Sequence, residues 1–297
     1  FFMILLDGKQ LFKKIKAELS LEVTQIINGG GRAPHLAAIL IGSDPASQTY
    51  INSKIKACRE IGFKSSLFTY SQDISQDCLI DKIKEINLDE SIDGLIVQLP
   101  LPHHIDKNVI THTISYKKDV DGFHPMNIGR MVLGLKTYLP ATPFGIIRLL
   151  DEYNIATSGK NCLVLGRSNI VGTPMSILMS RNNRVGNSTV TLAHSKTKNL
   201  HVLTQQADII IVALGIPHFL KSSMVKKDVV IIDVGIHRVP SKINKSGFRL
   251  IGDVDFEDVC EKVSYITPVP GGVGPMTIAS LLNNTLYSAK KTIYSQI

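Results

Sequence analysis

The sequence predicts an α/β protein of two domains, each built on a mostly parallel sheet, and three observations lead there. The chain has 297 residues, more than one hydrophobic core usually serves, so two cores are expected. Short apolar runs rich in Ile, Val and Leu alternate with helix-length segments, the alternation that belongs to parallel sheets. At "NCLVLGRSNIVGTPMSIL" a strand, a sharp glycine turn and a helix follow one another. That βα arrangement aims backbone N–H groups at a phosphate.

In chain order, a helix is expected from about Lys9, a strand at "HLAAILIG", a helix after Asp44-Pro45 and a strand near "SSLFTY". A helix near Leu79 to Ile86 and the strand "DGLIVQLPLP" complete the first sheet. After the turn-rich "KKDVDGFHPMN", the stretch "TPFGIIRLLDEYN" reads as a linking helix, with Pro143 suited to its first turn. The strands "NCLVLG", "STVTLA", "ADIIIVALG" and "DVVIIDVG" then form a second α/β unit, whose first helix begins near Ile170. The last helix is expected from Pro275 to about Ile293, directly after "ITPVPGGVGPMT", the densest Gly and Pro cluster in the chain.

Hydrophobic residues make up 44% and charged residues 20%, without repeats, as in a soluble globular protein. Apolar runs such as Ile209 to Leu214 are far too short to span a bilayer. Phe1 and Phe2, ahead of Met3, read as a cloning remnant, and the N-terminus is too soon charged for a signal peptide, so a cytoplasmic location is expected. Four scattered cysteines, Cys58, Cys78, Cys162 and Cys260, indicate neither a disulfide framework nor a metal site. A formal charge of +8 favours anionic partners.

On a helix over residues 45 to 61, Ile51, Ile55, Cys58 and Ile61 form one stripe, with Asn52, Lys56, Arg59 and Glu60 opposite. Lys54 falls inside the apolar stripe, and Ser47 and Tyr50 share its face. Two readings are open: a lysine whose stem covers apolar surface while its amine reaches water, or a desolvated lysine with a lowered pKa, available for proton transfer. Gln98 stands at the carboxyl end of an apolar strand, where ligands of open α/β sheets bind. Asp119 and Asp121 alternate ahead of a glycine turn, which would suit turn residues as well as ligand contacts.

The glycine turn at Gly166 departs from G-x-G-x-x-G: Ser168 and Val171 replace the second and third glycines, and Gly172 comes one place later. The next strand ends in His194, Ser195 and Lys196 rather than the carboxylate that binds a ribose 2′-hydroxyl. With Arg167 nearby, NADP fits better than NAD by charge; a solvated polar turn is the alternative.

"SQTYINSKIKACREIG", "DGLIVQLPLP", "KDVDGF", "GRSNIVGTP", "HSKT", "GDVDF" and "PVPGGVGPMT" together resemble the bifunctional methylenetetrahydrofolate dehydrogenase/methenyltetrahydrofolate cyclohydrolase family, from about Leu5 to Lys291. The resemblance implies an N-terminal folate-binding catalytic domain over residues 1–140, completed by a C-terminal helix over 275–297. It implies a Rossmann-like NADP-binding domain over 141–274, an active-site cleft between the domains, and a homodimer. By the same resemblance Tyr50 stacks on the folate, Lys54 serves the cyclohydrolase step, Gln98 tunes it and Asp121 holds the pterin. Val97 and Leu99 flank Gln98 at the substrate. Gly166, Arg167, Ser168, Ser195 and Ile236 contact NADP. Pro270, Gly271, Gly272, Val273 and Gly274 line the folate and nicotinamide side, so "PVPGGVGPMT" becomes a wall of the hydride-transfer site rather than a second phosphate loop. Thr277 either faces the nicotinamide or satisfies its own helix turn.

The implied substrate is a tetrahydrofolate derivative, whose glutamate tail the basic surface would suit, and no metal is implied. Departures are few: Ala141 stands where many relatives have Cys, and Leu214 replaces a small or hydroxyl residue near the nucleotide. Ser195, where NAD-using relatives with metal and phosphate carry Arg, disfavours that variant. The nearest rival is a monofunctional NAD(P)-dependent dehydrogenase. A basic nucleic-acid-binding protein is a remote one, since no Trp is present and the basic residues are dispersed.

Overall fold

All strand pairs in the two larger sheets are parallel. The computed structural model describes residues 3–242 and 247–294; Phe1 and Phe2 lie outside these. The elements are β1 (Ile4–Leu5), α1 (Gly8–Asn28), β2 (His35–Ile41), α2 (Pro45–Glu60), β3 (Lys64–Tyr70), α3 (Gln76–Leu88), β4 (Gly94–Val97), α4 (Lys107–Thr113) and α5 (Pro125–Val132). They continue with α6 (Ala141–Glu152), β5 (Asn161–Leu165), α7 (Gly172–Ser180), β6 (Thr189–Ala193), α8 (Leu200–Gln206), β7 (Ile209–Val212) and β8 (Val229–Asp233). The last are β9 (His237–Pro240), β10 (Phe248–Ile251), α9 (Phe256–Val259), β11 (Val263–Ile266) and α10 (Val273–Ala289).

The chain forms two compact units, one of Lys13–Ala141 with Ile278–Ile297, the other of Phe1–Phe12 with Thr142–Thr277. In the first, β2 lies between β3 and β4. Its run Leu36 to Leu40 is at most 2% exposed, so it must be covered on both faces. Ile39 and Ile41 pack with Leu79, Ile83 and Ile86 of α3. Asp44 starts α2 by accepting from Ser47 N at 2.7 Å, and Pro45 occupies the first turn, where its missing N–H costs nothing.

The second unit carries a six-stranded sheet in the order β1-β11-β8-β7-β5-β6. β5 sends the chain to β6 on one side and then to β7 on the other, so the order reverses at β5, and such a reversal opens a crevice at the carboxyl strand ends. Ile209 to Val212 are at most 1% exposed, and each such side chain contributes about 1.5–3 kcal/mol relative to exposure.

Two differences from the sequence reading concern short strands. Residues up to Phe12, expected with the N-terminal domain, belong to the other unit, because β1 pairs with β11 (Ile4 with Tyr265) as the sixth strand. Two residues are too few to show a period. β9, β10 and β11 were likewise not anticipated. α10 starts at Val273, with Pro275 as its third residue, and ends at Ala289, short of the expected Ile293. A first-turn proline forfeits no intrahelical bond.

Candidate active site

The helix stripe in α2 turns out to centre on the lysine. Lys54 is 5% exposed, more buried than Ile55, and lies with Ile51 (0%) and Cys58 (0%). Its Nζ donates to Gln98 Oε1 at 3.3 Å and stands 4.7 Å from the centroid of the Tyr50 ring. Gln98 is held in turn: its backbone N–H extends the ladder to Ile39 O at 2.9 Å, and Nε2 donates to Leu99 O at 2.7 Å. This bond turns Oε1 toward the lysine. Burial lowers the Lys54 pKa, and Asp121 only partly restores it. The amine is therefore desolvated rather than reaching water.

Asp121 shows the mirror behaviour. Burial raises its pKa, and Lys54 pulls it back. Among the described residues no hydrogen bond is accepted by its carboxylate. Asp119 is fully engaged instead: Oδ1 accepts from Phe123 N at 3.2 Å, and Oδ2 accepts from His124 N and Asn127 Nδ2, each at 2.7 Å. The two aspartates of "KDVDGF" thus divide into a turn anchor and an acceptor available to a ligand. Val97, Leu99 and Asp121 also line one small cavity beyond β4. Tyr50, Lys54, Val97, Gln98, Leu99 and Asp121 all belong to the unit of Lys13–Ala141.

The predicted nucleotide residues belong to the other unit. Gly166 takes φ +108°, where a Cβ would sit 2.1 Å from Ala213 O; a Cβ on Gly172 would sit 1.9 Å from Gly166 O. Only glycine lets the turn fold back so closely onto the start of α7. Ser168 Oγ accepts from Val171 N at 3.2 Å and Gly172 N at 3.4 Å, shaping the loop from within. Leu165 registers with Ala193, so exposed Arg167 and exposed Ser195 and Lys196 follow the ends of two adjacent strands. The turn at His194 is closed locally, with Thr197 Oγ1 accepting from His194 N at 2.9 Å. Ile236, 63% exposed, follows β8 at the same sheet end, as Ile216 (48%) follows β7. A tight glycine turn at a helix N-terminus, cations without a carboxylate after β6, and exposed isoleucines fit a 2′-phosphorylated dinucleotide.

A buried acidic pair behind this loop had no assigned role in the sequence reading, although "GDVDF" contains one member. Asp253, fully buried, accepts from Leu214 N at 2.7 Å and Gly215 N at 2.9 Å, and His237 Nε2 lies 2.7 Å from its Oδ1. Asp233 accepts from Gly235 N, Asp253 N and Val254 N, each at 3.0 Å. Burial foremost, and Asp253 in a smaller part, raise the Asp233 pKa to about 6. These bonds fasten the chain after β7 to the chain after β8 and β10. A Cβ on Gly252 would lie 1.8 Å from Asp233 Oδ2, which accepts from Val254 N while Oδ1 accepts from Gly235 N and Asp253 N. Gly252→Ala is expected to cost about 1–3 kcal/mol, lowering the thermal midpoint by about 2–4 °C per kcal/mol. An unchanged midpoint would show that the aspartate moves freely.

In the segment 268–277, which runs into α10, Gly271 O accepts from Lys9 N at 2.8 Å, and a Cβ on Gly8 would meet Gly272 O at 1.8 Å. Gly272, with Thr267 Cβ 2.6 Å from where its own Cβ would be, is buried, whereas Pro270 and Gly274 are exposed and Gly271 half-buried. Val273 is buried as the first residue of α10. Thr277 Oγ1 donates to Val273 O at 3.3 Å and lies 3.0 Å from Thr142 Oγ1, so its hydroxyl serves the local helix turn. Among the described residues no cluster of three His, Cys, Asp or Glu could hold a metal.

Residues 6–121 match the family model described as tetrahydrofolate dehydrogenase/cyclohydrolase, catalytic domain, and residues 140–293 match the NAD(P)-binding domain of the same family. The bifunctional protein FolD of Cytophaga hutchinsonii is 59% identical over 287 residues, covering 97% of this chain and 99% of that protein. The crystal structure of the bifunctional FolD dehydrogenase/cyclohydrolase from Campylobacter jejuni superposes with a TM-score of 0.91 at 50% identity, covering 98% and 99% of the two chains. The Trypanosoma brucei dehydrogenase-cyclohydrolase, solved with NADP cofactor and an inhibitor, gives 0.92 at 34% identity, covering 99% of each chain. The chain belongs to the tetrahydrofolate dehydrogenase/cyclohydrolase family.

Proposed function

We propose that this protein oxidises 5,10-methylenetetrahydrofolate with NADP and hydrolyses the resulting methenyl compound to 10-formyltetrahydrofolate. Lys54 carries this reading: a buried amine with a lowered pKa, oriented by Gln98 and backed by the Tyr50 ring. A dehydrogenase alone has no need of it. The monofunctional reading is disfavoured, since relatives at 55–59% identity are named bifunctional.

Bound NADP supplies the acceptor for the hydride that leaves the methylene carbon. For that step the protein positions and excludes water; the substrate nitrogen assists the hydride's departure, so no strong acid or base is required. Asp121 accepts hydrogen bonds from the pterin, Tyr50 stacks on it, and Arg167 and Ser195 hold the 2′-phosphate. In hydrolysis, water forms a C–O bond at the methenyl carbon. Neutral Lys54 takes a proton from that water, and the resulting ammonium donates one to N5 as the C–N5 bond breaks. The carbinol oxygen loses its remaining proton to solvent, leaving the formyl group on N10. Gln98 Oε1 stabilises the ammonium form between the two transfers.

An absorbance assay that follows methenyl formation with each cofactor, and then its decay, tests both steps. kcat/KM with NADP is expected to exceed that with NAD by about tenfold or more, as for hydrogen bonds to a charged group. A preference for NAD would overturn the roles of Arg167 and Ser195, and absence of methenyl decay would overturn the second activity. The proposal extends to a cytoplasmic homodimer without membrane or nucleic-acid partners. No described helix is long and apolar enough to cross a membrane, and the edge strand β6 alternates exposed and half-buried residues.

A further inference from the structure

The turn that carries Asp121 is held from behind by residues near the end of the chain. Asn127 is 0% exposed, and its amide is saturated. Nδ2 donates to Asp119 Oδ2 at 2.7 Å and to Tyr116 O at 3.0 Å. Oδ1 accepts from Thr137 Oγ1 at 2.7 Å and from the Tyr294 hydroxyl. Two donors and two lone pairs are all an amide has, so its orientation is dictated and both sides of the link depend on it. The Tyr294 ring is wedged edge-on between Tyr116 (5.0 Å) and Tyr138 (5.4 Å), with the Arg130 guanidinium 5.2 Å from its centroid.

Helix α10 adds a second grip. Asn284 Nδ2 donates to Val120 O at 2.9 Å and to Leu139 O at 3.0 Å, and the Ser288 hydroxyl lies 2.7 Å from Asp93 O and 3.0 Å from Lys117 O. The Val120 carbonyl, next to Asp119, is therefore tied to the C-terminal segment. Gly122 closes the turn at φ +76°, where a Cβ would lie 2.6 Å from the Leu139 carbonyl carbon. Asp121 is the exception inside this turn. Among the described residues its carboxylate accepts no hydrogen bond, so its place is set by the backbone that carries it.

We propose that Tyr294 is a positioning residue for the folate site, acting through Asn127 and Asp119 to fix the turn from which Asp121 meets the substrate. This rests on the reading of Asp121 as the pterin acceptor. Loss of the Tyr294 hydroxyl leaves one lone pair of a fully buried amide unfilled. The turn loosens at Asp119, and Asp121 pays that freedom back on binding. The reacting carbon and the nucleotide are untouched, so the defect belongs in KM for the folate and not in KM for NADP.

The test is a double-mutant cycle on the full chain with Tyr294→Phe and Asp121→Asn. Tyr294→Phe removes one oxygen from a ring that stays packed, and its thermal midpoint reports that the fold is kept. It is expected to raise KM for methylenetetrahydrofolate about 3–10-fold, the effect of one hydrogen bond, with KM for NADP within about twofold. In the Asp121→Asn background the same change is expected to add less than about twofold. An unchanged folate KM for Tyr294→Phe, or the same factor in both backgrounds, overturns the relay. If Asp121→Asn itself leaves the folate KM unchanged, the pterin reading fails and the relay with it, while a raised value there keeps the two failures distinct. A fall in kcat alone also overturns the proposal, because the relay does not reach the reacting atoms.

Discussion

Lys54→Met lowers methenyl hydrolysis by about 10²–10⁴-fold, the usual contribution of a positioned proton-transfer group, and leaves hydride transfer measurable. The substitution fills much of the same volume, so Tyr50 and the α2 stripe keep their packing. Decay of methenyl absorbance in single turnover reads the loss directly. Equal loss of both activities with an intact fold would sink the division of labour. In the native enzyme the hydrolysis rate should rise as pH passes the Lys54 pKa, at a pH below the ordinary 10.5, because the water proton goes to the neutral amine.

Stability should rise with pH over the same range as activity. The folded state binds the Lys54 proton more weakly than the unfolded chain does, since burial lowers the pKa. Between that lowered value and 10.5 the unfolded state therefore holds more protons, and native stability rises with pH. Lys54→Met removes the buried charge and is expected to keep or raise the thermal midpoint at neutral pH. Its advantage over the native enzyme shrinks as pH climbs through that window.

Gly172→Ala should give the complementary phenotype. Its Cβ would sit 1.9 Å from Gly166 O, a backbone atom that cannot swing aside. Overpacking of this kind costs about 1–3 kcal/mol; spent on opening the turn at the start of α7, it raises KM for NADP by about 10–100-fold. Methenyl hydrolysis, which involves residues of the other unit, should stay within about twofold. Titration of the dinucleotide in the dehydrogenase assay checks this, and an unchanged KM in a folded variant would mean the turn is not where the phosphates lie.

Legibility in the sequence followed the length of each signal. β2, β5, β7 and β8 were readable because strands buried on both faces must be continuously apolar. The α2 stripe exposed Lys54 as out of place because helical period converts spacing into direction. It could not say whether the amine reached water. That depended on Gln98, 44 residues away, whose Oε1 meets the amine. β1 pairs with β11 across some 260 residues through two register pairs, too little to leave a pattern. The spacing of "KDVDGF" marked two aspartates alike, and only the resemblance singled out Asp121; the physical distinction came from Asn127, Phe123 and His124 converging on Asp119.

By itself, then, the order of residues determined the two α/β cores, the glycine turn before α7, the cations after β5 and β6, and the family, since these rest on local period, turn chemistry and motif order. Only tertiary structure decided which polar side chains are satisfied and which remain open. Burial and hydrogen-bond partnership are set by residues far apart in the chain. For that reason the lowered pKa of Lys54, the raised pKa of the buried Asp121, the Asp233 and Asp253 fastening and the reach of Tyr294 to Asn127 appear only once the chain is folded.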